Sequence, residues 1–160
     1  MSCKPSTLLS SGAGRKPLSE SWRESRDGDG DVREIYDRHY SRYHYADGRK
    51  PKLFVGPGEK IVLITENGDA IWCWRKFIDG SGQQGVNNAI FRNEGPLLSS
   101  SLILQAEGIA WKRWPGERLY TYVKPSGIRS TNPGACYKKA GWKVCGETKV
   151  NKLLILEKLA

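Results

Sequence analysis

One long helical repeat, lying between runs that alternate like β-strands, limits the fold of this chain more than any other feature. Across residues 99–114 the apolar residues recur at the spacing of one helix face. Pro115 and Gly116 end the pattern, because neither residue continues a helix well. Strand-like runs come before and after it, so we expect this helix to pack on one face of a sheet.

The sheet is predicted from several short apolar runs and one tight turn. Residues 66–69 (ENGD) have the composition of a hairpin turn. Shorter helices are predicted over residues 31–45, with Asp31 as N-cap and Glu34 completing a capping pattern, and over 133–140. This order predicts an α/β (α+β) class, a single domain with a mixed, mostly antiparallel sheet flanked by helices. The predicted strands are 52–55, 60–65, 70–77, 86–92, 118–123, 142–148 and 152–157.

The beginning of the chain differs in composition from the rest. Residues 1–30 are rich in Ser, Gly, Lys and Arg and show no hydrophobic period. Such a segment buries too little apolar surface to offset the entropy that it loses on ordering. We therefore predict a mobile tail over residues 1–30, with Trp22 as its one anchor, and a folded domain over residues 31–160.

Charge and cysteine content limit the partners and the compartment. The 26 Lys and Arg outnumber the 17 Asp and Glu, and the net charge of +9 favours polyanionic partners or simply solubility. No apolar leader opens the chain, and no run approaches the ~18 apolar residues of a membrane span. The four cysteines show no zinc-ligand spacing, and Cys73 suits a buried position. We expect a cytoplasmic protein without membrane contact; its oligomeric state, including a homodimer, stays open.

Three segments resemble the GNAT superfamily of acyltransferases. Tyr137, Gly141 and Trp142 are similar to its Tyr-x-x-x-Gly-Phe ending, with Trp in place of Phe. Residues 92–97 (RNEGPL) match half of its pyrophosphate loop, in which Leu97 breaks the last position. Three serines then open the long helix, whose first N–H groups attract phosphate. The resemblance implies that acyl-CoA or a related donor is bound by Arg92, Gly95, Ser99, Ser100 and Ser101.

Within that superfamily, residues 31–158 most resemble the Mom proteins of Mu-like phages. The likeness rests on the His39-Tyr40 pair, on Arg92, on the serine-rich helix start and on residues 122–125 leading to Tyr137. It implies a catalytic domain that transfers a carbamoylmethyl group to adenine N6 in double-stranded DNA and so protects the DNA from restriction. Lys124 departs from the family, which carries an acidic residue there. If that carboxylate is essential, either the reaction differs here or another group replaces it, with Asp37 and Asp47 as candidates.

The candidate catalytic residues follow from this resemblance. It implies His39 and Tyr40 in the active site, Tyr137 as a proton donor to the departing group, and bound iron with His39 as a ligand. His39 and His44 are the only histidines. Five positions on a regular helix turn them about 140° apart, so both cannot bind one ion. The other interpretation is that these rings only pack against the sheet.

Basic residues along the chain are candidates for contact with DNA phosphates. Trp72 and Trp74 share a strand face and could stack on a base that is swung out of a duplex. Packing in the core is the interpretation of the Trp pair that we favour. The candidate DNA-binding residues are Arg38, Arg42, Arg49, Lys50, Arg75, Lys76 and Arg129.

Two other functions stay open on the sequence. The first is an acyl-CoA-dependent N-acetyltransferase for a small amine or a protein, for which Arg92→Ala should abolish acetyl-CoA binding. The second is a non-catalytic nucleic-acid-binding protein. Its salt-sensitive DNA binding should survive His39→Ala and Tyr137→Ala without any chemical product.

Overall fold

The computed structural model describes residues 14–38, 47, 53–77, 82–125 and 134–160, which form one seven-stranded sheet with helices on both faces. The sheet order is β1-β2-β3-β4-β5-β7-β6, and β4 with β5 is its one parallel pair. This confirms the predicted mostly antiparallel α+β class. The strands are β1 (Trp22–Ser25), β2 (Glu59–Thr65), β3 (Ala70–Lys76), β4 (Val86–Asn93), β5 (Leu119–Val123), β6 (Lys143–Glu147) and β7 (Leu154–Lys158). The helices are α1 (Gly30–Tyr36), α2 (Ser99–Arg113) and α3 (Ala135–Lys139).

The larger core lies between the sheet and the pair α2 and α3. The apolar face of α2 is buried as its spacing predicts. Trp72 and Trp74 are fully buried against it, and the Trp74 indole N–H donates to the carbonyl of Ala106 at 2.9 Å. The prediction that these two tryptophans pack in the core is therefore confirmed.

The opposite face carries a smaller core under α1. Val32, Ile35 and Tyr36 of α1 pack on apolar side chains of β2, β3 and β4. In the described part of the chain, this cluster includes no residue of β5 or β7. Among the described residues this cluster therefore ends at β4, although Tyr120 of β5 is itself fully buried.

The prediction of a mobile tail is wrong for residues 14–30, which are part of the folded domain. β1 pairs antiparallel with β2, and Pro17 forms a further bridge to Arg23. Trp22 is 0% exposed, and its indole N–H donates to the carbonyl of Leu102 at 2.9 Å. One large apolar side chain and a backbone ladder order a segment that composition alone describes as too polar to fold. Residues 1–13 lie outside the described residues.

The first helix also begins elsewhere than predicted. Asp29 is the N-cap, because its carboxylate accepts from the Asp31 backbone N–H at 2.9 Å. The Asp29 carboxylate also accepts from Ser25 and Arg15, each at 2.7 Å, which no local pattern shows. The helix ends at Tyr36, and residues 39–45 of the predicted span lie outside the described residues.

The predicted strand over residues 52–55 is wrong where it is described. The backbone N–H groups of Phe54 and Val55 donate to the Asp27 carboxylate, at 2.8 and 3.2 Å, instead of to a neighbouring strand. The remaining predicted strands and helices are confirmed, with ends shifted by at most two residues. None of the helices in the described ranges is both long and apolar enough to span a bilayer.

Candidate functional site where two strands part

The parallel strands β4 and β5 are joined only at their beginnings. Their pairing ends with Asn88 opposite Thr121, and the Thr121 hydroxyl donates to the Asn88 carbonyl at 3.0 Å. Both strands continue beyond this point without pairing to each other. A gap therefore opens in the middle of the sheet, next to Asn88.

A bulge in β4 lies at the same position. Trp74 of β3 pairs with Asn88 and Cys73 pairs with Ile90, which leaves Ala89 as an extra residue. The Asn88 side-chain amide donates to the carbonyls of Cys73, at 3.2 Å, and Ile90, at 2.9 Å. Because a bulge bends its strand, the Asn88 side chain helps to fix the direction in which β4 leaves β5.

Tyr137 reaches the same point from the α2–α3 face. Its hydroxyl donates to the side-chain oxygen of Asn88 at 2.5 Å, and the residue is only 8% exposed. Its ring packs edge-on against Trp142 at 5.2 Å and lies near Trp72 and Phe91. Asn88 thus links a buried phenol to the position where the strands part.

A cavity of about 750 Å³ borders the gap from the α1 side. We call it the α1-face cavity. Among its described lining residues are two cationic, three amide and three aromatic side chains, and no carboxylate. The lining residues are Tyr36, Phe54, Val55, Arg75, Asn87, Asn88, Ala89, Ile90, Tyr122, Lys124, Asn151 and Leu153.

The two cations of the α1-face cavity have no acidic partner among the residues described. Arg75 lies over the Phe77 ring at 5.0 Å and donates to the Val55 carbonyl at 3.4 Å. Its Nε is buried and has no hydrogen-bond partner in the described part of the chain. Lys124 is exposed at the other end of the lining and forms no described ion pair. No carboxylate of the described residues therefore competes with an anionic ligand for either charge.

Residues 92–97, the predicted pyrophosphate loop, differ from the α1-face cavity because Arg92 has an acidic partner within the loop. The Glu94 carboxylate accepts from Arg38, at 2.6 and 2.7 Å, and from Arg92 at 2.6 Å. These hydrogen bonds, first that from Arg38 and then that from Arg92, lower the pKa of Glu94 to about 2. The carboxyl group therefore stays ionised at neutral pH, and its one negative charge is shared between Arg38 and Arg92.

Gly95 and the first residue of α2 contact neighbouring protein side chains. A Cβ added to Gly95 would collide with the Asp69 carboxylate, so this contact explains the glycine without a ligand. α2 begins at Ser99 as predicted, but its N-cap is Leu98, without a side-chain cap hydrogen bond. Ser99, Ser100 and Ser101 therefore form the first turn of the helix and do not cap it. The Ser99 hydroxyl accepts from the side-chain amide of Asn93 at 3.0 Å.

Because of these neighbours, the loop does not fit the diphosphate of acyl-CoA. Two arginines, Arg38 and Arg92, already meet the carboxylate of Glu94. A second carboxylate, that of Asp69, lies against Gly95. A diphosphate would be repelled by both acids unless the loop rearranged. We derive no step through that cofactor.

Several predicted site residues cannot be placed. His39, Tyr40, Arg42, His44, Arg49, Lys50 and Arg129 lie outside the described residues. Of the two carboxylates considered as replacements for the family's acidic residue, Asp37 accepts from Arg33 at 3.0 Å. Within the described ranges, no three potential metal ligands come together, and the iron prediction still depends on His39. Lys76, a predicted DNA contact, pairs with Glu117 at 3.5 Å.

No protein-family model matches the chain, and neither a curated protein nor a solved structure is significantly similar to it. Asn87 and Asn88, the amide side chains of the site, were not among the predicted site residues. A signal was present, since two consecutive asparagines within the otherwise apolar run VNNAIF are unusual in a strand.

Proposed function

We propose that this protein transfers a small group to the N6 amino group of adenine in DNA, a reaction of the type implied by its resemblance to the Mom proteins. The observation that carries the proposal is the parting of β4 and β5 at Asn88. The α1-face cavity opens to this point from one side, and Tyr137 reaches it from the other. An adenine in this cavity would therefore have the Tyr137 hydroxyl on the opposite side of the gap.

The chemistry assigns a role to each side of the gap. The N6 nitrogen forms a bond to a carbon of the donor, the bond from that carbon to its leaving group breaks, and N6 loses one proton. We assign to Tyr137 the transfer of its phenolic proton to the leaving group. His39, which lies outside the described residues, is the sequence-based candidate for accepting the N6 proton.

The surroundings of the gap favour nucleic acid as the acceptor. The net charge of +9 and the two cations of the α1-face cavity attract phosphates, whereas no carboxylate in the described lining would hold a cationic amine. Aromatic side chains in the same lining offer flat surfaces to a base that has left the duplex stack. An ordinary acetyl-CoA-dependent acetyltransferase is the weaker alternative, because the carboxylates of Glu94 and Asp69 lie where residues 92–97 would have to bind the diphosphate of the cofactor.

Mass spectrometry of nucleosides tests this proposal directly. We expect that DNA from cells expressing the protein contains deoxyadenosine made heavier by one carbamoylmethyl group, which DNA from cells with the empty vector lacks. If soluble protein is present and every deoxyadenosine is unmodified, the transferase proposal is wrong. Salt-sensitive DNA binding without any product would then indicate the non-catalytic alternative.

A further inference from the structure

We infer that the α1-face cavity binds one nucleotide unit of a strand together with the phosphates on both sides of it. This inference deepens the proposed function, on which its biological meaning rests, by naming what the cavity recognises. It depends on three properties of the cavity: where its cations lie, what its walls are made of and how large it is.

The strand register places the two cations at opposite ends of the cavity. Arg75 of β3 is level with Asn87 of β4, which is level with Tyr120 of β5. Lys124 lies four residues beyond Tyr120 in the chain. At about 3.3 Å per residue this separates the two cations by roughly 13 Å along the strands, and they also lie two strand spacings apart. Because both side chains are long, their charges can approach the cavity from its two ends and each meet a different phosphate.

The walls between these charges suit a flat ring. Tyr36 and Phe54 are stacked on each other, with centroids 4.2 Å apart and planes 16° from parallel, and the Arg33 guanidinium lies over the Phe54 ring at 5.7 Å, so this pair forms part of the aromatic wall rather than an open stacking platform. Tyr122 lines the same space. A base can contact such aromatic surfaces whatever its identity, which is how many proteins hold an extruded nucleotide.

Amide groups are available to the edge of the base. Asn87 is 4% exposed, and its one described hydrogen bond is a long one of 3.5 Å from its amide nitrogen to the Tyr120 carbonyl. Asn151 lines the cavity as well. An asparagine amide offers a donor and an acceptor side by side, the pair that matches an adenine edge. Asn88 is different, because its amide is already bonded to the backbone around the bulge.

The volume and the charges of the α1-face cavity argue against inorganic phosphate and against a nucleoside as its ligand. About 750 Å³ is within the ~300–1,000 Å³ of typical ligand sites, and more than an inorganic phosphate fills. A nucleoside would leave both cations without a counter-charge. A nucleotide that keeps its 5′ and 3′ phosphates satisfies the cations and the aromatic wall together.

Calorimetry on the full chain tests the inference with three ligands: deoxyadenosine, its 5′-monophosphate and its 3′,5′-bisphosphate. We expect affinity to rise about tenfold with each phosphate, because a charge-assisted hydrogen bond is added each time. Arg75→Gln and Lys124→Gln should each remove one of these steps, and the double variant should bind all three ligands alike. Lys112→Gln, an exposed cation on α2 at the opposite face, is the matched control and should change nothing.

Several results would overturn the inference. They are a bisphosphate that binds no more tightly than the nucleoside, affinities unchanged in Lys124→Gln, and no binding of any ligand at millimolar concentration. Lys124 is exposed, so its substitution keeps the test valid even if Arg75→Gln, which removes contacts to Phe77 and Val55, lowers stability.

The inference and the proposed function can fail separately. Nucleotide binding as expected, with no modified adenine in cellular DNA, would support the cavity and reject the transferase. Modified adenine that is equally abundant with wild type and with the Arg75→Gln/Lys124→Gln double variant would support the transferase and reject this use of the cavity.

Discussion

We expect Tyr137→Phe to lower the rate of the proposed adenine modification by about 100-fold or more, because general acids contribute roughly 10²–10⁴-fold to enzyme rates. The substitution removes the hydroxyl that donates to Asn88 at the parting of β4 and β5. The phenyl ring keeps its packing against Trp142 and Phe91, so the chain should still fold. The measurement is the amount of modified deoxyadenosine in DNA as a function of time after induction, corrected for the amount of soluble protein.

A matched substitution separates catalysis from stability. Tyr120→Phe removes the hydroxyl of a fully buried tyrosine of β5 that is not among the described lining residues of the α1-face cavity. Each variant should lose about 1–3 kcal/mol of stability at most, the usual cost of leaving a buried polar partner unsatisfied. Only Tyr137→Phe should lose activity. If Tyr137→Phe modifies DNA at a rate within about threefold of wild type, the tyrosine is not the acid whose loss should cost roughly 10²-fold or more.

Trp22→Ala should reduce the free energy of unfolding by about 3–5 kcal/mol, the typical cost of truncating a buried tryptophan. The indole is 0% exposed, packs under α2 and donates to the Leu102 carbonyl. For a chain of this length the loss corresponds to a fall in melting temperature of roughly 10 °C. Circular dichroism during urea unfolding measures the effect without relying on tryptophan fluorescence.

Two control variants help to interpret the stability of Trp22→Ala. Trp22→Phe keeps most of the apolar contact but loses the indole donor, so it should be destabilised by less than Trp22→Ala. Leu104→Ala removes a side chain on α2 that is 51% exposed and should stay within about 0.5 kcal/mol of wild type. If Trp22→Ala melts together with Leu104→Ala, β1 is not an integral part of the domain.

Much of the fold could be predicted from the sequence because local periodicity determines it. The face of α2 is visible in the spacing of its apolar residues, and the hairpin between β2 and β3 is visible in residues 66–69. β1 could not be found in this way. It is four residues long, and Trp22 is its only buried side chain. Its order depends on contacts with Leu102 and with β2 that are distant in the chain.

The candidate site was harder to predict, because it exists only in three dimensions. A bulge at Ala89 has no local pattern of its own, and the bond between Asn88 and Tyr137 joins residues 49 positions apart. The α1-face cavity collects side chains from α1, from three strands and from connecting segments. The motif predicted a donor site at Arg92 and Gly95. In the structure Arg92 donates to the Glu94 carboxylate, and the Asp69 carboxylate lies against Gly95.

A crystal structure of the full chain with a duplex that carries one unpaired adenine would measure where the reactive base lies. We predict that the adenine ring lies in the α1-face cavity, with N6 facing the gap beside Asn88 and the flanking phosphates at Arg75 and Lys124. An adenine that stays stacked in the duplex, or that binds on the face covered by α2 and α3, would contradict the proposed site.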